Sequence, residues 1–261
     1  MRALHIAATG MLAQERNVEV TSNNIANMRT TGFKKQRAQF QDLLYQDLRR
    51  VGSNTSTSGT QVPVGVQIGS GVRLAATTRI MSQGELEGTD KELDVAINGE
   101  GYFQITLPDG RTAYTRDGSF ELDSAGQLVT ADGYIVQPGI TFPDDTSDIT
   151  VSSDGEVQVT IGDETTTTTL GQFTLARFVN KAGLEPMGEN LFLETPSSGA
   201  PQVAVPNDEG YGSLLQGYLE AANVNSVTEI SDLIAAQRAY EMNSRVIQAA
   251  DDMLSATSQL T

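Results

Sequence analysis

Residues 226–261 read SVTEISDLIAAQRAYEMNSRVIQAADDMLSATSQLT, with neither Gly nor Pro. Leu233, Tyr240, Ile247 and Leu254 recur every seven residues in it. Ser226-Val-Thr-Glu229 has the form of a capping box, in which the first and fourth side chains satisfy orphan backbone groups at a helix start. One helix from Ser226 to about Ser258 would be roughly 50 Å long at 1.5 Å per residue. A helix of that length with one apolar stripe is marginal in water and must lie on something. The other end of the chain offers the counterpart. In MRALHIAATGMLAQERNVEVTSNNIANM, residues 1–28, Leu4, Met11, Val18 and Ile25 repeat the same spacing. A seven-residue repeat places side chains on the seam another helix covers. Flanking positions are often Ala or polar (Gln14, Asn243, Ser244), so neither stripe suits a strong stand-alone coiled coil. Gly10 costs about 1 kcal/mol against Ala in a helix. It is either tolerated or marks a close helix contact.

Between the two ends the pattern changes. Asn98-Gly99, Asp109-Gly110, Asp117-Gly118, Asp132-Gly133 and Asp154-Gly155 are pairs that accept the backbone angles of tight hairpins. Short β-prone runs lie among them, at 94–97, 102–107, 127–130, 134–137, 157–161 and 173–179. The fold class expected is α+β: a discontinuous terminal-helix domain, its N- and C-terminal helices packed as a coiled coil, plus a central antiparallel all-β domain. The divisions are 1–30 for the first helix and 31–71 for an extended or linker segment. They continue with 72–210 for the β domain, 211–225 for a return linker and 226–261 for the second helix. Phe33, Phe40, Leu44 and Leu48 are spaced for a helix, but 33–50 also suits extended chain. Residues 52–71 are rich in Gly, Ser and Thr and cannot fold alone. The formal glycosylation sequon Asn54-Thr55-Ser56 reads as chance, and the threonine run 165–169 as an exposed strand or turn edge.

Charge and composition exclude several functions. The chain has 17 Lys+Arg against 33 Asp+Glu. Residues 1–50 hold eight basic and four acidic side chains, and the remainder nine basic and 29 acidic, a net of −20. Such a body repels phosphate backbones, so no nucleic-acid partner is expected. The basic N-terminal segment is either a solvated face or meets an acidic surface on a neighbour. With no cysteine a thiolate nucleophile is excluded, and with one histidine, His5, so is a His cluster for metal. Asp144, Asp145, Asp148 and Asp154 do not match a calcium loop, and the Gly-rich stretches at 65–71 and 99–101 lack the dinucleotide fingerprint. No enzyme activity, cofactor, metal or small-molecule substrate is expected. No apolar run is long enough to span a membrane as a helix, and the N-terminal stretch does not read as a cleavable signal peptide.

After the first helix stands Ser22-Asn-Asn-Ile-Ala26-Asn27-Met-Arg-Thr30-Thr-Gly32-Phe33-Lys34. It resembles the signature of the bacterial flagellar axial proteins, roughly Ala-Asn-x-x-Thr-x-Gly-Phe-Lys. Ala26, Asn27, Thr30, Gly32, Phe33 and Lys34 match all six defined positions. Asn27 and Gly32 would end the helix and Phe33 would dock the turn. Leu93–Phe103, Tyr114–Phe120 and Gly126–Thr130 are similar to the β domain that rod and hook proteins share. Gly217–Asn225 and Ala236–Ile247 look most like distal-rod members, as does the length; Ala222 stands where the family often has Ser. The resemblance implies a helical homopolymer, the terminal helices forming an inner tube around an export channel and the β domain an outer layer. The shaft would span the periplasm and transmit torque. Implied partners are further copies of the chain, proximal rod proteins below, hook protein above, the P- and L-ring proteins around it, and the flagellar type III export apparatus. In distal-rod members the segment near 52–71 resembles an insertion linked to a straight shaft. Within the family the rivals are a proximal-rod, hook or hook-junction subunit. Outside it the rival is a β-rich enzyme or ligand-binding protein with a helical dimerisation clasp.

Overall fold

The computed structural model describes residues 2–49, 64–143, 145–162 and 167–259. The sequon, most of the Gly/Ser-rich stretch, Asp144 and the first two threonines of the 165–169 run lie outside the described residues. The chain divides into two units. The first comprises residues 1–25, 36–78 and 225–261, the second 26–35 and 79–224.

The first unit holds the two long helices, α1 (Arg2–Ala26) and α2 (Ser226–Gln259). The α2 start is capped one residue earlier than the Ser226 box implies. The Asn225 Oδ1 accepts from the Thr228 N–H at 3.1 Å. Asn is a strong capping residue because its short side chain reaches an otherwise unpaired helical N–H. Glu229 instead lends a carboxylate oxygen to Asn24 on α1, at 3.1 Å. A second contact joins Gly10 to Asn243: a Cβ on Gly10 would sit 2.9 Å from the Asn243 amide nitrogen. That geometry favours close contact over mere tolerance for this glycine. Asn24 lies fourteen residues after Gly10 and Glu229 fourteen before Asn243, so the helices run antiparallel at these points.

Residues 36–42 and 45–49 are strands, not helix. Gln36–Asp42 pairs with Val72–Arg79, and Tyr45–Arg49 pairs antiparallel with Val66–Gly69. The helical spacing of Phe40, Leu44 and Leu48 builds no buried face, for all three are exposed. The Asn24 side-chain amide holds both backbone groups of Gln36, at 2.9 Å each, which steers the chain into extended geometry.

The second unit is β throughout apart from one short 3₁₀ turn among its described residues. Its largest sheet runs in the order Glu185–Gly188, Leu191–Leu193, Thr112–Thr115, Tyr102–Thr106, Ile135–Val136, Leu128–Thr130, Phe120–Leu122. Leu175–Arg177 joins it beside Tyr102–Thr106 and carries Gln202–Ala204. A three-stranded sheet (Thr146–Val151, Glu156–Ile161, Thr167–Gln172) and two strand pairs complete the unit. All six β-prone runs of the sequence overlap strands.

Both faces of strand Tyr102–Thr106 are covered, as its alternation requires. Phe103 and Ile105 enter the main core with Val95, Ile97, Leu128, Val136, Phe173 and Leu214. Tyr102 faces a second cluster of Tyr114, Phe178, Leu184 and Phe192. Edge-to-face rings hold both sides, Phe103 on Phe120 at 5.1 Å and Tyr114 on Phe178 at 4.8 Å. Four of the five turn glycines adopt positive φ. Gly118 is the exception: a Cβ there would lie 1.7 Å from the Val95 carbonyl oxygen, so strand proximity excludes a side chain.

Candidate functional site

The signature segment forms a turn that is wired to the far end of the second unit. Ala26 is the last residue of α1, and Asn27 accepts at its carbonyl from the Thr30 N–H at 3.1 Å. The Phe33 N–H closes onto the Thr30 carbonyl at 3.3 Å. Gly32 has φ +67° and donates its N–H to the Glu220 carbonyl at 2.7 Å. A Cβ at Gly32 would meet the Asp117 backbone nitrogen at 2.8 Å. Both the angle and the space therefore demand glycine. Phe33 is buried, as expected, and its carbonyl accepts from the Asn223 N–H.

Lys34 is 1% exposed, and its ammonium is bonded to Glu220 and, at 2.9 Å, to the Ser82 carbonyl. The Glu220 side chain is fully buried. One of its oxygens also accepts from the Gly84 N–H at 2.9 Å, and the other from Arg116 at 3.2 Å. Arg116 donates further to the Gly99 carbonyl at 2.8 Å and lies over the Tyr102 ring. Burial pushes the Lys34 ammonium below the usual lysine range, with Glu220 pulling it back. Burying a lone charge costs far more than burying a paired one, and removing one partner costs about 3–5 kcal/mol. Asn223 completes the junction. Its Oδ1 accepts from the Lys35 N–H at 2.7 Å, and its amide donates to the Ile80 and Ser82 carbonyls at 2.7 and 3.1 Å.

For Lys34, then, the acidic partner is internal, neither solvent nor a neighbour. Glu220, Arg116 and Asn223 were not among the expected site residues. The signal was present for Glu220, a lone acid in the otherwise uncharged run Gly217–Asn225.

The expected stripes occupy a different position from the most buried helix line. Leu4, Met11, Val18 and Ile25 are half-buried, as are Leu233 and Ile247, while Tyr240 and Leu254 are 46% and 42% exposed. The buried residues are small or polar: Ala7, Ala13, Thr21 and Asn24 on α1, Glu229, Ala236 and Ala250 on α2. Each α2 stripe residue lies four positions after a member of the line Glu229, Ala236, Asn243, Ala250, about 40° around the helix. Further round, Val227, Ile230, Ile234, Met242, Val246 and Met253 stay exposed, Val227 at 73%.

Among the described residues no grouping of side chains resembles a reaction centre. His5 lines a pocket of about 260 Å³ with Arg2, Ile6, Gln46 and Ile68, and no His/Asp/Glu group of three that could hold a metal lies among the described residues. Asp109 serves its own turn, accepting from the Arg111 N–H at 3.0 Å.

Comparison with known proteins identifies the pattern. Residues 4–34 match the model of the flagella basal body rod protein family. Residues 96–159 match that of the flagellar hook protein FlgE/F/G D1 domain, and 215–260 that of the flagellar basal body rod FlgEFG protein C-terminal region. The flagellar basal-body rod protein FlgG of Caulobacter vibrioides is 58% identical over 260 residues, covering 100% of this chain and 99% of its own length. The chain belongs to the FlgG family. FlgG of Agrobacterium fabrum is 54% identical and that of Bacillus subtilis 38%, each aligned over at least 97% of both chains. The hook protein FlgE of Helicobacter mustelae is 41% identical, but over 52% of this chain and 30% of its own length. FlgG proteins are structural subunits of the flagellar basal-body rod, an axial structure of motility, and the family is not an enzyme family. The first and last family models fall on the two elements that meet at the Lys34–Glu220 junction and on the two helices.

Proposed function

We propose that this chain is a distal-rod subunit that polymerises helically into a straight drive shaft, carrying torque from motor to hook around an export channel. End-to-end similarity to FlgG rod proteins supports this reading over a hook subunit. The observation that carries it is the apolar face of α2. Val227, Ile230, Ile234, Met242, Val246 and Met253 are exposed in the single chain, on a helix about 51 Å long. Single exposed apolar residues are ordinary; here Val227, Ile230 and Ile234 share one side of the helix and Met242, Val246 and Met253 a second side about 100° further round, and such clusters mark interaction surfaces. α1 and α2 act as an antiparallel coiled-coil pair with the line of small and polar residues innermost. Leu4, Met11, Val18, Ile25, Leu233, Tyr240, Ile247 and Leu254 flank that line and pack against neighbouring copies, closing the tube wall.

The remaining assignments extend what the family resemblance implies. The shaft crosses the periplasm, proximal rod proteins lie below it, hook protein above, and P- and L-ring proteins surround it. The subunit reaches the growing end through the flagellar type III apparatus. Residues 52–71 set straightness.

An Ile234→Asp variant tests the proposal by sedimentation and negative-stain electron microscopy at high concentration. Wild type forms straight tubes. The variant stays monomeric with unchanged near-ultraviolet dichroism from the β unit. Tubes of normal length from the variant would overturn it.

A further inference from the structure

The Lys34–Glu220–Arg116 cluster does more than hold two strands together. We infer that Glu220 is a charge gate that lets the signature turn dock only after the outbound segment 216–224 has arrived. This inference concerns the folding of the single chain and does not rest on the assembly reading.

The turn depends on late-coming chain. Gly32, Phe33 and Lys35 bond Glu220 and Asn223, Lys35 also accepts from the Ile80 N–H at 2.9 Å, and Thr31 accepts from Asn190 at 3.0 Å. Its cation, Lys34, lies against the same carboxylate as Arg116. Until Glu220 is in place, docking the turn would bring two cations into one buried site with only Glu100 as counter-charge, a half-exposed carboxylate already paired with Lys181. Like charges at close range in a poorly solvated site repel strongly. Arg116 acts on Lys34 in that sense in the folded chain, lowering its proton affinity.

A chain that emerges N-terminus first therefore keeps residues 27–35 undocked while strands such as Tyr102–Thr106 and Thr112–Thr115 form. The carboxylate then admits both cations at once. Gly84 secures it through its N–H, and Asn223 fixes the Lys35 backbone three residues further on. Docking of the inbound turn thus reports that the β unit is complete.

Charge counting makes the gate separable from simple packing. The wild-type cluster holds two cations and one anion. Glu220→Gln leaves two cations, Lys34→Met leaves one cation with one anion, and the double variant leaves a single cation. Amide hydrogen exchange by mass spectrometry on the full chain reads the outcome. In Glu220→Gln, exchange over 27–35 should rise at least about tenfold while 102–115 stays protected. Lys34→Met should leave 27–35 protected, and adding it to Glu220→Gln should restore most of the lost protection. If Glu220→Gln does not fold, recovery of a folded β unit in the double variant supports the gate, and failure to recover overturns it. Unchanged exchange over 27–35 in Glu220→Gln would also overturn it. So would equal opening in Lys34→Met and Glu220→Gln, or no rescue in the double variant.

Discussion

Replacing Gly32 by Ala should be costly because backbone angle and space act together. The residue has φ +67°, a region that costs an L-residue about 1–2 kcal/mol. Fewer unfolded conformations for Ala return about 0.4–1 kcal/mol. The added Cβ would also press on backbone, 2.8 Å from the Asp117 nitrogen and 3.0 Å from the Arg116 carbonyl carbon, which cannot rotate away. Overpacking of this kind costs about 1–3 kcal/mol. The net expectation is a loss of about 2–4 kcal/mol. Gly110 is the internal control, with φ +82° and nothing within 4 Å of its notional Cβ, so Gly110→Ala should lose only about 1 kcal/mol. Urea unfolding followed by near-ultraviolet dichroism reads this unit, since Tyr102 and Tyr114 both lie in its core. With a slope of about 2 kcal/mol per molar urea, the Gly32→Ala midpoint should fall by about 1–2 M and the Gly110→Ala midpoint by about 0.5 M. Equal shifts in the two variants would show that the contact with Arg116 and Asp117 is not what selects glycine in the signature.

Three other outcomes are expected. Asn223→Ala leaves the Lys35 N–H and the Ile80 and Ser82 carbonyls without their amide partner. It should cost about 2–3 kcal/mol, and thermal denaturation will show whether the loss is that large. Burial pushes the phenols of Tyr102 and Tyr114 up to about 12. The folded state favours the neutral phenol, so this stability is complete below pH 10 and is lost as pH rises towards 12. A spectrophotometric titration should show Tyr102 and Tyr114 ionising last, together with unfolding; ionisation of both near pH 10 in the folded chain would contradict it. Ile247→Asp places a charge at a half-buried helix position, at a cost of several kcal/mol; it should abolish assembly in a pelleting assay while the β unit keeps its unfolding midpoint.

Local signals were legible where local physics decides the structure. The absence of Gly and Pro after Asn225 marked α2, and Asp-Gly and Asn-Gly pairs marked the β unit. The signature marked a turn because Gly32 has to supply a positive φ. Signals failed where distant chain decides. The spacing of Phe40, Leu44 and Leu48 leaves 33–50 open between helix and extended chain, and pairing with 66–79 and the grip of Asn24 on Gln36 decide for strands. Thr112–Thr115 and Phe120–Leu122 were not marked as β-prone, being short runs defined by their neighbours in the sheet. Heptad reading picks large residues, but one contact between the helices uses Gly10 and Asn243, where small size and an amide matter more than hydrophobicity. The partner of Lys34 lies 186 residues away, so the lone acid at Glu220 stands out in its run without showing which cation it serves.

The central claim is that the helices complete their packing only between copies. A cryo-electron microscopy reconstruction of the assembled protein tests it most directly. Tubes should have both terminal helices in the inner wall, with Val227, Ile230 and Ile234 covered by neighbouring copies and the β unit outside. An assembly held through the β unit, with that face of α2 open to solvent, would contradict it.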